Sequence, residues 1–130
     1  MRTKARETVF EVIFASRFSD GVDSSLKNSL YKKENLDEND IAYADSVISL
    51  IGAHSEEFCG LIDKISHSFP ESRLFPADIS IMLVALAEIK YIDDIPTAVS
   101  INEAANMASK FSSPKSASFV SGILSEAAKG

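Results

Sequence analysis

Apolar residues recur along this chain at intervals of three and four, the spacing that lines one face of an α-helix. Val9, Phe10, Ile13, Phe14 and Phe18 predict a first helix over residues 3–18, ended by Asp20-Gly21. Leu26 and Leu30 predict a short second helix, which gives out in the polar stretch from Lys32 to Asn39. Ile41, Ala44, Val47, Ile48 and Ile51 make a third stripe, with Gly52 placed to close it. Phe58, Leu61, Ile62, Ile65 and Phe69 make a fourth, stopped by Pro70. Period-two alternation is scarce and no Asn-Gly turn occurs, so strands are not expected.

The stretch from Pro76 to Ile92 has a different pattern. Proline suits a first helical position, and Ile81 to Ala87 is apolar on every side. A helix without a polar face must be surrounded by other helices, so this is the expected central core helix. Pro96 opens a helix carrying Ile101, Ala104, Ala105, Ala108 and Phe111, and Pro114 opens the last, with Phe119, Val120, Ile123, Leu124 and Ala127. About seven helices with short connections predict a compact all-α domain over residues 1–130, long enough to bury a core. Ser112-Ser113-Pro114 is expected to be a turn within it rather than a linker.

Composition narrows the class. The chain is 45% hydrophobic and 25% charged, as in ordinary globular proteins. Cys59 is the only cysteine, so no internal disulfide can form, and a reducing compartment is the natural setting. No apolar segment follows the first residues, and the longest apolar run, Ile81 to Ala87, is far too short to cross a bilayer. These features predict a cytoplasmic protein with no membrane partner. The net charge of −6 at first argues against a nucleic-acid partner, but its distribution is uneven. Residues 1–33 carry seven bases against four acids, residues 34–103 carry fourteen acids against Lys64, Arg73 and Lys90, and residues 104–130 carry three lysines against Glu126. Two weakly basic ends flank an acidic middle, which reads either as a solvated surface or as a sign of charged partners.

Catalytic chemistry is sparse. The five glycines are scattered singly, with no phosphate-cradling loop. His54, Cys59 and His67 are spaced by five and eight residues and do not share a helical face, so neither a metal site nor a cofactor is expected. Cys59 reads as a small core residue. Two carboxylates interrupt apolar stretches: Glu88 ends the all-apolar run, and Glu103 lies in Ile101-Asn102-Glu103-Ala104. Each could be half of an acid/base pair or a brace at a helix junction. The junction is the simpler expectation for Glu88, Asn102 and Glu103, because a buried carboxylate needs donors or a counter-charge. No catalytic residue is assigned.

The C-terminal third reads Ile95-Pro96-Thr97-Ala98-Val99-Ser100-Ile101-Asn102-Glu103-Ala104, then Ala108-Ser109-Lys110-Phe111, then Ser118-Phe119-Val120-Ser121-Gly122-Ile123-Leu124. This closely resembles the NusB family pattern of Ile-Pro, Val-Ala-Ile-Asn-Glu-Ala, Ala-Lys-x-Phe and Lys-Phe-Val-Asn-Gly-Val-Leu. Asp78 to Ile89 resembles the family's core helix, and Ala5-Arg6-Glu7 with Val9, Phe10, Ile13 and Phe14 resembles its opening helix. The resemblance runs through essentially the whole chain in order.

It implies an all-α fold of two small helical bundles packed together, and a non-enzymatic role in transcription antitermination. The implied partners are single-stranded boxA-type RNA of nascent ribosomal transcripts, the small-subunit ribosomal protein NusE, and the RNA polymerase antitermination complex. Self-association as a homodimer occurs in some members and is left open here. The RNA-facing positions implied are Arg2, Lys4, Arg6 and Phe14 from the first helix, with Lys110, Lys115 and Phe119 from the C-terminal side. Cations would attract phosphates and aromatic rings would stack on bases, although Phe14 and Phe119 fit the core equally well by spacing. Arg2, Lys4 and Arg6 are expected to form one phosphate-contacting strip. Three departures stand out: Thr3 breaks the basic cluster, Ser121 stands where the family has Asn, and Ala87 where an aromatic is common. Fewer cations imply weaker RNA binding, so the alternative is an interaction module of this fold that has lost its RNA role. NusB-like domains also occur fused to ribosomal RNA methyltransferases; with 130 residues and no cofactor-binding α/β pattern among them, that enzyme reading is not the one expected here.

Overall fold

The computed structural model describes residues 2–17, 21–67 and 75–129. Phe18, Asp20, Phe69 and Pro70, which the hydrophobic pattern placed at helix ends, lie outside the described residues. Among the described residues six helices follow in order: α1 (Arg2–Ser16), α2 (Ser24–Lys33), α3 (Glu38–Ser66), α4 (Pro76–Tyr91), α5 (Thr97–Phe111) and α6 (Pro114–Lys129). No strand occurs among the described residues. The ends follow local chemistry. The Asp23 carboxylate accepts from the backbone N–H groups of Ser25 and Leu26 at 2.9 and 3.2 Å, capping α2. At the other end of α2, Asn35 takes a positive φ of 53°. There the Leu36 and Asn35 N–H groups reach back to the carbonyls of Tyr31 and Lys32, a Schellman closure that asparagine tolerates. Asp37 caps α3 by accepting from the Asp40 N–H at 2.8 Å, and Pro76 takes the first turn of α4.

Two of the expected seven helices run on as one. Gly52 does not adopt a left-handed conformation, so it cannot close a helix as the pattern suggested. The interruption comes at His54 (φ −124°, ψ 16°), which kinks α3 without ending it. No proline follows, and after Ser55-Glu56-Glu57 the apolar stripe resumes at Phe58, so packing carries the helix through the kink.

The all-apolar segment is the central helix. Ile81 to Ala87 are all at most 3% exposed, and α4 packs against α1, α3, α5 and α6. α1 packs on both α2 and α3, with α2 tied to α3 by bonds from Lys27 and Tyr31 to Asp45; α5 and α6 pack on one another, and α4 is shared by both groups while α3 also reaches α6. The buried apolar residues other than Val12 form one connected cluster among the described residues. Each large side chain buried there, such as Leu86 or Ile81, stabilises the fold by about 1.5–3 kcal/mol.

Candidate nucleic-acid interface

The polar centre of the molecule lies where α1 crosses α3, α4 and α5. Glu88 of α4 is 1% exposed. Its Oε2 accepts from Arg6 Nε at 2.7 Å and, in a short bond, from the Tyr43 hydroxyl, while its Oε1 accepts from Ser100 Oγ at 2.7 Å. Arg6 also donates from Nη1 to Glu103 Oε1 at 2.9 Å, and Thr3 Oγ1 donates to the same oxygen at 2.5 Å. Four helices are thus joined by one network. Burial works against the charged guanidinium, but the hydrogen bond and charge of Glu88, with Tyr43 and Glu103 adding, hold the Arg6 pKa above its ordinary value. Burial, then the Glu88 charge and hydrogen bond, push the Tyr43 hydroxyl well above the usual phenol range.

This geometry corrects two sequence expectations. Arg6 is 5% exposed and spends its guanidinium on two carboxylates, so it is not part of a surface strip with Arg2 and Lys4. Arg6 lies one turn in from Arg2 on the same face of α1, and both guanidinium groups sit over the Tyr43 ring. Arg2, at the start of the helix, stays exposed, whereas α4 and α5 cover Arg6 through Glu88 and Glu103. Asn102 is exposed, on the side of α5 away from Ser100, Ala104 and Met107, and braces no junction. Glu88 and Glu103 do meet at a junction, through Arg6 rather than directly. Thr3, a mere gap in the basic cluster by sequence, is a donor in this network. Tyr43 and Ser100 were missed altogether, because 45 and 12 residues separate them from Glu88.

Around this centre the other named residues take surface positions. Arg2 is exposed, with its guanidinium 4.5 Å from the Tyr43 ring centroid and Nη1 3.9 Å from Asp40 Oδ1. Lys4 lies 3.5 Å from Glu34 and 3.7 Å from Glu7. Lys110, near the end of α5, reaches both oxygens of Glu7 at 3.1 Å and lies 5.2 Å from the Phe111 ring centroid. The packing of Phe10 on Phe111, with centroids 4.9 Å apart, sets α1 beside this end of α5. Lys115 is exposed in the first turn of α6, which is capped by Ser113 and tied to α4 by a 3.0 Å bond from Ser116 Oγ to Asp78 Oδ2. Phe14 and Phe119 are both half-buried and pack on the core, Phe14 with its ring 5.7 Å from Phe10. α1 and the α5–α6 corner therefore bring Lys4 and Lys110 together about a shared carboxylate, with Arg2 and Lys115 to either side in sequence.

Beside Arg2 runs an open groove of about 630 Å³, lined among others by Asn39, Tyr43, Tyr91 and Asp93. Tyr91 stacks on His54 at the α3 kink, with centroids 4.1 Å apart, and donates to Glu57 at 2.7 Å. Cys59 is exposed rather than the core residue expected. Among the described residues, no three His, Cys, Asp or Glu side chains are grouped to hold a metal ion, and no helix is long and apolar enough to cross a membrane.

A family model for NusB matches residues 3–129. The transcription antitermination protein NusB of Agathobacter rectalis is 37% identical over 127 residues, covering 96% of this chain and 97% of that protein. Its counterpart in Natranaerobius thermophilus is 35% identical over 133 residues, covering 98% and 94%. Among solved structures, T. maritima NusB superposes with a TM-score of 0.85 at 27% identity, covering 99% of this chain and 91% of that one. A chain from a crystal structure of the antitermination factors NusB and NusE with double-stranded RNA superposes at 0.84 with 20% identity, covering 98% and 96%, a likeness of fold alone.

Proposed function

The chain belongs to the NusB family, and from that premise we propose that it is an antitermination subunit. It binds boxA-type RNA of nascent ribosomal transcripts together with a NusE-like ribosomal protein and helps RNA polymerase resist termination. It acts in the cytoplasm and by binding, not by catalysis. The phosphate contacts fall to Arg2, Lys4, Lys110 and Lys115, while the remaining exposed edges of Phe14 and Phe119 are the surfaces for base stacking. Arg6 serves behind them, holding the basic end of α1 to α4 and α5.

The observation that carries this reading is the meeting of Lys4 and Lys110 across Glu7, which gathers cations from both basic ends of the chain although its net charge is −6. Long-range attraction to RNA is set by such local clusters as well as by total charge. A second reading has one specific support. Arg2, Lys4 and Lys110 each already face a carboxylate, which favours a module that binds the protein partner and holds RNA weakly.

The test is fluorescence anisotropy of a labelled boxA-type RNA, titrated with this protein alone and with a NusE-like ribosomal protein, at two salt concentrations. Binding that is salt-sensitive and strengthened by the partner is expected, and an Arg2→Glu/Lys115→Glu variant should lose it while keeping its thermal midpoint. A stable complex with the partner but no RNA uptake would replace this reading with the second.

A further inference from the structure

Glu7 lies between two of the cations proposed to meet RNA. Its side chain, on α1 and mostly buried, receives Lys110 from α5 at 3.1 Å on both oxygens and faces Lys4 at 3.7 Å. Lys4 also faces Glu34, the residue that caps the end of α2, at 3.5 Å. Both lysines are about half exposed, so their ammonium groups are within reach of solvent while the carboxylate that engages them is set back. A carboxylate bridging two ammonium groups makes the contacts a bridging phosphate would make, with the same unit charge.

We propose that Glu7 is a built-in competitor for the nucleic acid, an internal anion that occupies the Lys4–Lys110 position and sets how much of the chain's positive charge RNA can use. The inference rests on the reading that this face binds RNA. The pairs are breakable, because lysine–carboxylate contacts with half-exposed partners hold weakly in water. They are also favoured over an incoming phosphate, because Glu7 is already in place and its own charge repels the newcomer. Glu34 acts in the same sense on Lys4 alone, and Asp40 lies beside Arg2 at 3.9 Å. Only Lys115, of the four proposed cations, has no carboxylate partner among the described residues. Glu11, next along the same face of α1, has its pKa raised by burial and then by the charges of Glu34 and Glu7, with Lys33 and Lys4 opposing. Three carboxylates, Glu7, Glu11 and Glu34, are thus gathered here with Lys4, Lys33 and Lys110. Such a surface discriminates against stray polyanions. Ligands with enough other contacts, from Lys115, Arg2 and the protein partner, displace the carboxylate.

The experiment compares wild type with Glu7→Gln, Glu34→Gln and Glu126→Gln, using a fluorescein-labelled boxA-type single-stranded RNA between about 50 and 200 mM salt. Each lysine freed to release one counterion adds about 0.7 to the slope of log affinity against log salt for a single strand, or about five-fold in affinity near 0.1 M salt. Glu7→Gln should therefore bind about 5- to 25-fold more tightly, with a steeper slope, and Glu34→Gln should move the same way by a smaller factor. Glu126→Gln makes the same change in net charge at the far end of α6, beside Lys129, and should leave affinity unchanged. Circular dichroism checks that each variant is folded, and Glu34→Gln carries the test if Glu7→Gln is not. Equal or weaker binding by folded Glu7→Gln and Glu34→Gln, with wild type binding normally, overturns the competitor role and leaves the RNA reading standing. An equal gain from Glu126→Gln would trace the effect to net charge and overturn it as well. No binding by any variant, with or without the NusE-like protein, overturns both.

Discussion

Replacing Arg6 by methionine separates an internal brace from a surface RNA contact. Methionine keeps an apolar stem against the core but removes both the 2.7 Å bond to Glu88 and the 2.9 Å bond to Glu103. Glu103 retains Thr3 as a donor and has an 18% exposed side chain, so water takes up part of its loss. Glu88, 1% exposed, keeps Tyr43 and Ser100 as donors but has no counter-charge left. Removing one member of a buried ion pair costs about 3–5 kcal/mol, and the partial rescue of Glu103 places this case at about 3–4 kcal/mol. That is a large fraction of the about 5–15 kcal/mol that holds an ordinary domain together. With an unfolding entropy of about 2.1 cal/mol/K per residue, the thermal midpoint should fall by about 10–15 °C. The measurement is thermal and urea unfolding followed by circular dichroism at pH 7, run as a cycle with Glu88→Gln and the double variant. The double variant should be less destabilised than the two singles summed, by about 1–3 kcal/mol of coupling. An unchanged midpoint with weakened RNA binding would refute the brace and return Arg6 to the surface strip that the sequence suggested.

Two further outcomes follow from the same electrostatics. Tyr43 holds its proton more tightly in the fold than in the unfolded chain, where it titrates near 10, so stability should decline as pH rises above that value. Tyr43→Phe should cost about 1–3 kcal/mol at neutral pH by removing a donor from Glu88, yet flatten this alkaline decline. A residual slope belongs to Tyr31, raised by burial and its bond to Asp45, and to Tyr91, raised by its bond to Glu57, whereas an identical alkaline limb in variant and wild type contradicts the assignment. Glu11 has a carboxyl raised above its ordinary 4.5 by burial and then by Glu34, so its favourable contribution is present below that value and lost as pH rises through the raised one. Glu11→Gln should therefore raise the urea midpoint at pH 7 and give no gain at pH 4; a lowered midpoint at pH 7 would show that the residue makes a favourable contact there.

Helix identity and position could be read from the chain because they depend on local spacing. Val9, Phe10 and Ile13 on one face, the unbroken run from Ile81 to Ala87, and prolines at 76, 96 and 114 are each decided within a few turns. The central place of α4 was legible for the same reason, since a segment with no polar side has only one environment available to it. The tertiary structure decided what distance along the chain conceals. Gly52 looked like a terminus, but packing carried α3 past it to a kink at His54. Arg6 looked like a third surface cation beside Arg2 and Lys4, yet its partners lie 82 and 97 residues away, and only the crossing of α1 over α4 and α5 brings them within hydrogen-bond reach. The role of Glu7 was hidden likewise, since its pairing with Lys4 is visible as an i, i+3 step but Lys110 comes from 103 residues further on. The pattern of apolar positions determines which face of each helix is buried; which charges meet depends on how those faces pack, because an ion pair forms over a few ångströms of space whatever the separation in sequence.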